Sequence, residues 1–392
     1  MNMNKATWKV TLAIVFLLSL LLTACGNKGG SNEAASGGSG STGTSSAGTS
    51  SPSASSGSGG KDQIVIGFSV GTMKQERWQR EVEMAQKYAD EHGFKLLVQS
   101  CEEDANKQVQ QVESMLAQGI DVLLISAQDS ESSGVVVDKA HQAGVPVVAY
   151  DRLVRNGDLD YYLTFDNEKV GELQAQMLVD KYPKGNYIWV LGGPEDNNAH
   201  LIKEGHEKVL QPYIDSGDIK IVAQQWAKGW SPEEAMKITE NALTKANNDV
   251  VAVVASNDGT AGGVVQALDA QGLAGKVGVS GQDADLAALQ RIVEGTQTGT
   301  IYKPTANLNK TAMDLVYALA KGDQEKVNAM LSGQIEHGHI GKVDNGTKQV
   351  TTFLMDVTTV TKDNIMDTVV KDGFHTVEEI YKNVPKDQWP QS

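Results

Sequence analysis

The chain has 392 residues, with 49 acidic against 34 basic side chains and a formal net charge of −15. That acidity excludes a protein built to neutralise a nucleic acid backbone. Two cysteines, seven scattered histidines, no phosphate-cradling Walker loop and no Gly-x-Ser-x-Gly elbow leave no disulfide framework, no zinc spacing and no familiar hydrolase nucleophile.

Residues 1–24 read as a segment outside the fold. Lys5 and Lys9 form a basic start, and 10–22 is an almost unbroken apolar run. The run is short for a membrane span and fits a secretory signal. It ends in Leu22-Thr23-Ala24-Cys25-Gly26, which resembles the lipobox of bacterial lipoproteins. The resemblance implies that the Cys25 thiol is diacylglycerated and becomes the mature N-terminus. Removing Lys5 and Lys9 from the chain's −15 leaves −17. Residues 25–61 are the lipidated Cys and a tether made almost wholly of Gly, Ser, Ala and Thr, too polar and small to order themselves. Such a coil reaches roughly 30–35 Å. With Cys25 assigned to lipid, Cys101 stands alone and reads as a passive, partly buried thiol.

The remaining stretch of about 330 residues exceeds one simple core and suggests two lobes. A strand is expected over 64–69 (IVIGFS), then a helix over 76–92 with Trp78, Val82, Ala85 and Ala89 at three- and four-residue steps, closed by Gly93. Strand 95–99, helix 106–118, strand 120–126, helix 132–143, strand 145–150 and strand 161–164 come next. The run IDVLLIS at 120–126 has the continuous apolar character of a parallel strand buried on both faces. This alternation is the signature of a doubly wound parallel sheet.

The pattern then restarts. Helix 168–181, strand 187–191, helix 199–209 and strand 220–224 lead to Trp226 and Trp230. Helix 232–246 opens with Ser231 as cap and Pro232 in its first position. Strand 250–255, helix 260–271, strand 277–280, a further helix and strand 299–302 succeed it, ending at Lys303-Pro304. Helix 307–321 is expected to return to the first lobe and 348–356 to form a last strand, and the polar remainder carries no clear pattern. The fold class is therefore α/β: two doubly wound parallel-sheet lobes, with chain crossings near 165, near 303 and near 345–355. The expected division is 62–165 with 304–346 in the N-terminal lobe and 166–303 with 347–392 in the C-terminal lobe.

Ligands of open α/β sheets sit at the carboxyl ends of the strands. Here those ends offer Arg77 and Trp78, Asp151 and Arg152, Asp196 and Asn198, Trp230, Asn257, Asp283, and Lys303 at a crossing. Carboxylates and amides that take paired hydroxyls, cations that donate to oxygens, and indoles that pack on C–H faces suit a sugar. A phosphate would ask for a glycine-rich loop, and Gly192-Gly193 is too little. Singly, each group has a plainer role. Asp151-Arg152 suits a structural ion pair, Trp78 a core position, and Asp196, Asn198, Asn257 or Asp258 a helix cap. Lys303 before Pro304 has no such plain role, and the set at successive strand ends outweighs its members.

The runs QERWQ (75–79), AYDR (149–152), FDNEKVGELQA (165–175), DNNA (196–199), WSPEEA (230–235), ASND (255–258), SGQDADL (280–286) and TIYKP (300–304) resemble the bacterial D-xylose-binding proteins. These are periplasmic-type sugar receptors of ABC importers, related to ribose and galactose receptors. The resemblance spans roughly 62–320 plus DNIMDTVVKDGFH (363–375). It implies the type I periplasmic-binding-protein fold with a three-crossover hinge, and two lobes that close on one sugar. It also implies sugar contacts from Arg77, Asp151, Arg152, Asp196, Asn198, Trp230, Asn257, Asp283 and Lys303, with Trp78 stacking on the ring face opposite Trp230. Residues 70–74 and 127–130 look less like the family, and a sugar contact there would alter selectivity.

The implied function is capture of D-xylose by a lipid-anchored monomer at the outer face of the cytoplasmic membrane. Delivery goes to an ABC permease and its ATPase, with no cofactor, no metal, no catalysis and no nucleic acid partner. The alternatives are docking of the closed receptor on a sensor-kinase ectodomain, transport of another monosaccharide, and an enzyme acting on pentoses. The last lacks an activated nucleophile. A repressor effector domain shares the fold but conflicts with the lipobox.

Overall fold

The structure, a computed structural model, describes residues 63–390 apart from 334 and 336. The expected signal segment, Cys25 and the tether lie outside the described residues. The chain begins β1 (Val65–Val70), α1 (Glu76–His92), β2 (Lys95–Ser100), α2 (Ala105–Ala117), β3 (Val122–Ile125), α3 (Gly134–Gln142), β4 (Val147–Tyr150) and β5 (Tyr161–Phe165). β3 and β4 are buried throughout, as their unbroken apolar runs require of strands covered on both faces. α1 stops because Gly93 takes a left-handed conformation (φ 70°), and α2 starts because Asp104 accepts from the amides of Asn106 and Lys107.

After β5 the chain crosses to α4 (Asn167–Lys181), β6 (Gly185–Leu191), α5 (Asn197–Asp215), β7 (Ile219–Trp226), α6 (Pro232–Lys245), β8 (Ala252–Ala255), α7 (Asp258–Asp269), β9 (Gly278–Val279), α8 (Leu286–Glu294) and β10 (Thr300–Tyr302). It returns through α9 (Thr305–Ala320), α10 (Gln324–Ser332), β11 (Gly338–Asp344) and β12 (Gln349–Met355), then crosses again to β13 (Thr358–Val360) and α11 (Val377–Ile380). The first lobe holds a seven-stranded sheet in the order β11-β12-β5-β4-β3-β1-β2, parallel except for β11. The second holds a parallel sheet β7-β6-β8-β9, and β10 pairs antiparallel with β13 beside it. Each large sheet is covered on both faces. In the first lobe α1 and α9 bury one face and α2 with α3 the other. In the second lobe α6 and α7 oppose α4 and α5.

The expected boundary at 346/347 needs correction. β12 lies parallel to β5 in the first-lobe sheet, and its Val350, Phe353 and Met355 are fully buried in that lobe. The third crossing therefore falls between Met355 and Thr358. The sequence hid this because β11, the hairpin partner of β12, is an edge strand of half-exposed residues without an apolar run. Beyond β13, Ile365, Val369, Ile380 and Tyr381 pack on Leu289, Ile292 and Val293 of α8, which places the tail on the second lobe. α5 also runs past its expected end at 209 and takes Pro212 into its last turn.

Candidate functional site

Each sequence-selected side chain sits just beyond a strand. β1 leads to Arg77 and Trp78 in the first turn of α1, β4 to Asp151 and Arg152, and β6 to Asp196 and Asn198 at the start of α5. β7 leads to Trp230, β8 to Asn257, β9 to Asp283 and β10 to Lys303. All ten line one cavity, together with Gln75 and Gln282. All ten are at least nineteen-twentieths buried.

The charges are interlocked across the lobes. Arg77 spreads its guanidinium over three carboxylates, with Nε to Glu81 at 2.8 Å, Nη2 to Asp151 at 2.8 Å and Nη1 to Asp283 at 3.4 Å. Lys303 Nζ lies 3.0 Å from Asp283 and 3.8 Å from Asp151. Arg152 Nε pairs with Asp196 at 3.0 Å. Burial works to raise the Asp151 carboxyl, but Arg77 and Lys303 outweigh it and hold the group below the usual carboxylate range. Asp196 goes the other way, raised by burial that Arg152 only partly offsets. Glu81 is also raised by burial against the pull of Arg77, and its second oxygen accepts from the Tyr150 hydroxyl.

Backbone geometry fixes these groups. The Asp151 carbonyl accepts from Tyr162 (2.8 Å), Thr164 (2.8 Å) and Asn198 Nδ2 (3.0 Å), the last reaching across from the second lobe. Asp151 (φ 61°), Trp230 (φ 56°) and Asp283 (φ 99°) all hold left-handed backbone, which non-glycine residues rarely adopt. Each such residue costs roughly 1–3 kcal/mol and persists only where the surroundings over-determine it. The Asp283 loop is braced by Asp258. Its carboxylate accepts from Thr300 Oγ1 (2.8 Å), Gln297 Nε2 (2.9 Å) and the Asp285 amide (3.0 Å). Burial raises Asp258 to about 7, with Arg291 opposing and Asp283 adding to the rise.

The two indoles are held differently. Trp78 donates from Nε1 to Gln75 Oε1 at 2.8 Å, packs edge-on against Tyr150, and has the Arg77 guanidinium 4.5 Å from its ring centre. Trp230 lies against the backbone of Gly192, where an added Cβ would stand 2.5 Å from the ring. The Gly192-Gly193 pair thus makes room for an aromatic surface. Trp230 Nε1 and Gln282 Oε1 are buried without a protein partner. One donor and one acceptor in the same cavity lining, each costing roughly 1–3 kcal/mol while unpaired, mark where a ligand's hydroxyls gain most.

The plainer roles prove compatible with the cavity. Asp196 caps α5 through the Asn198 amide, and Asn257 caps α7 in a reciprocal capping box with Thr260, yet both line the cavity. Sequence reasoning passed over Gln75, Gln282 and Glu81. The two glutamines lie inside QERWQ and SGQDADL, but selection favoured charged and aromatic groups over neutral amides. Glu81 had a legible signal, since it stands four residues after Arg77 on one helix face. Residues 70–74 and 127–130 do not line the cavity. Gly71 and Gln128 instead stand behind Arg152. Cys101 is wholly buried, donates its thiol to the Gly71 carbonyl at 3.1 Å, and is pushed up by burial away from reactivity. Among the described residues no group of three or more His, Cys, Asp or Glu side chains could hold a metal ion.

Comparison with known proteins places the chain in a family. A family model described as a periplasmic binding protein domain matches residues 66–324. A D-xylose-binding periplasmic protein of Escherichia coli is 48% identical over 318 residues, covering 81% of this chain and 93% of the relative. A multiple sugar-binding periplasmic receptor of Rhizobium radiobacter is 35% identical, with the same two coverages. A carbohydrate transporter solute-binding protein from Chloroflexus aurantiacus, solved with D-glucose, superposes with a TM-score of 0.73 at 30% identity, covering 81% of this chain and 98% of that one. An ABC transporter solute-binding protein from Clostridium phytofermentans with β-D-glucose gives 0.72 at 29% identity, covering 81% and 99%. With the family match spanning most of the described fold, this chain belongs to the periplasmic binding protein family.

Proposed function

We propose that the protein is a receptor that encloses D-xylose between its two lobes and hands it to an ABC import permease and its ATPase. The observation that carries this is the buried cavity in which Asp151 and Asp283, from opposite lobes, share Arg77 and Lys303 beside two indoles. Two relatives at 48% identity are named for D-xylose.

Carboxylates already held by cations keep oxygens free to accept from sugar hydroxyls, while Arg152, Lys303 and Asn257 supply donors. Trp78 and Trp230 offer the apolar faces. Arg77, Trp78, Asp151 and Arg152 come from the first lobe, Asp196, Asn198, Trp230, Asn257, Gln282 and Asp283 from the second, and Lys303 from a crossing, so an open form meets only part of the sugar. A sugar that binds the closed form better shifts the population toward it. The closed surface of the paired lobes is then what a permease reads. A pentose has about ten heavy atoms, and enclosed small ligands reach on the order of −1 kcal/mol per atom, giving a micromolar Kd or better.

Cys25 is the proposed diacylglyceryl anchor and the Gly/Ser stretch its tether, holding a monomer outside the cytoplasm at the membrane face. Two acyl chains suffice for that, since each buried CH₂ contributes about 0.8 kcal/mol. The bound sugar leaves chemically unchanged. Titration calorimetry with D-xylose and D-ribose tests the assignment. One site for D-xylose at or below about micromolar, with D-ribose weaker by at least about a hundredfold, is expected. Equal affinities would refute the xylose assignment.

A further inference from the structure

The run FDNEKVGELQA contributes nothing to the cavity lining, yet one of its residues reaches the site from behind. α4 and α5 touch backbone to backbone. A Cβ on Gly171 would stand 2.0 Å from the Ile202 carbonyl, and one on Gly205 would stand 2.0 Å from the Glu168 carbonyl. Only glycines permit that approach, and it brings Gln174, one turn after Gly171, against His206, the residue after Gly205. Both side chains are fully buried.

Three hydrogen bonds there are forced in sequence. The indole of Trp189 can only donate, and its Nε1 lies 3.0 Å from His206 Nδ1. Nδ1 is therefore the acceptor and the proton sits on Nε2. His206 Nε2 then donates to Gln174 Oε1 at 2.7 Å. That fixes which way the Gln174 amide faces, and its NH₂ group points at main-chain carbonyls. It donates to Gly281 O at 2.9 Å and Ser256 O at 3.0 Å, with Ala255 O at 3.4 Å. Ser256 immediately precedes Asn257, and Gly281 immediately precedes Gln282 and Asp283. One amide thus pins the ends of β8 and β9 where each delivers its cavity-lining side chain. Burial holds His206 down to about 3, with Lys203 adding to the effect, so the ring stays neutral and its tautomer stays set.

We infer that Gln174 and His206 are positioning residues that fix Asn257, Gln282 and Asp283 in their cavity-facing geometry through the Ser256 and Gly281 carbonyls. This rests on the cavity being the sugar site. Neither residue touches ligand. Gln174 holds the two loops in register, and His206 keeps Gln174 from turning its amide oxygen toward the same carbonyls.

A pair of substitutions separates positioning from mere core filling. His206→Gln keeps a donor at the distance of Nε2 and so keeps the bond to Gln174. His206→Asn keeps an acceptor near Trp189 but falls short of Gln174. D-Xylose calorimetry on the protein should find His206→Gln within about threefold of wild type and His206→Asn weaker by about tenfold or more. Gln174→Leu, which removes the fork outright, should be at least as weak as His206→Asn. Backbone amide exchange in sugar-free protein gives a second readout that does not depend on the sugar's identity. The amides of Asp258, Asp283 and Asp285 should exchange faster in His206→Asn than in His206→Gln. Equal affinity and equal exchange for the two His206 variants, whether unchanged or equally impaired, would overturn the inference. If wild type bound no D-xylose, the sugar assignment would fail separately, and the exchange comparison would still decide the positioning role.

Discussion

Asp283→Asn should weaken D-xylose binding by about thirty- to a hundredfold while leaving the sugar-free fold intact. Asparagine is chosen because Asp283 has φ 99°, where asparagine is tolerated and alanine would add strain of its own. The substitution keeps the shape and removes the charge. In the cavity that charge faces Lys303 Nζ at 3.0 Å and Arg77 at 3.4 Å, and it is the acceptor offered to sugar hydroxyls. A hydrogen bond to a charged group contributes about 1.5–3 kcal/mol and a neutral one about 1. Downgrading two such bonds removes about 1–4 kcal/mol, and the middle of that span, about 2–2.7 kcal/mol, is the stated thirty- to a hundredfold. The sugar-free protein gains a partial offset, because Asp283 pushes up both Asp258 and Asp285 by like-charge repulsion. Calorimetry with D-xylose, paired with thermal unfolding without sugar, checks both halves. Affinity within threefold of wild type would refute the role given to Asp283. So would a loss of affinity matched by a large fall in the sugar-free Tm, which would mark a folding defect instead.

Gly192→Ala should abolish most binding without unfolding the lobe, because the new Cβ meets the Trp230 ring at 2.5 Å and must displace it; intrinsic fluorescence and calorimetry read the two effects. The neutral His206 adds an acid sensitivity. Its folded value of about 3 lies below the ordinary 6.5, so the unfolded chain binds the extra proton, and this contribution is complete above pH 6.5 and lost as pH falls toward 3. Asp258, raised to about 7, works in the opposite sense between pH 7 and 4, so the expected signature is a difference: the wild type should lose about 2 kcal/mol or more relative to His206→Gln between pH 7 and 4.5, measured by urea unfolding. Cys25→Ser should release the protein from the cell surface into the medium with D-xylose affinity unchanged; persistence in the detergent phase would rule out Cys25 as the lipid site.

Much of the site was legible because its chemistry sits at strand ends, and the strands announce themselves. Apolar runs such as those of β3 and β4 locate their own carboxyl ends, and the polar residue just beyond each end is a candidate. That rule alone delivered Asp151, Asn257, Asp283 and Lys303. It does not reach residues that act from within helices or as neutral amides. Glu81, inside α1, holds Arg77 at a four-residue spacing that the strand-end rule does not use, and only packing shows that Gln174, inside α4, holds the β8 and β9 ends. The boundary at 346 failed for a related reason. β11 hides in a half-exposed pattern, so nothing local indicates that β12 belongs to the first sheet. The same holds for Gly192, whose value lies in an indole thirty-eight positions further along the chain (192 to 230).

The most direct test is a crystal structure of the protein grown with D-xylose. One sugar ring should lie between Trp78 and Trp230, its hydroxyls donating to Asp151 and Asp283 and accepting from Lys303, with Trp230 Nε1 and Gln282 Oε1 newly partnered. A xylose-saturated crystal with the sugar bound elsewhere, or with this cavity closed and free of sugar, would contradict the assignment of the site.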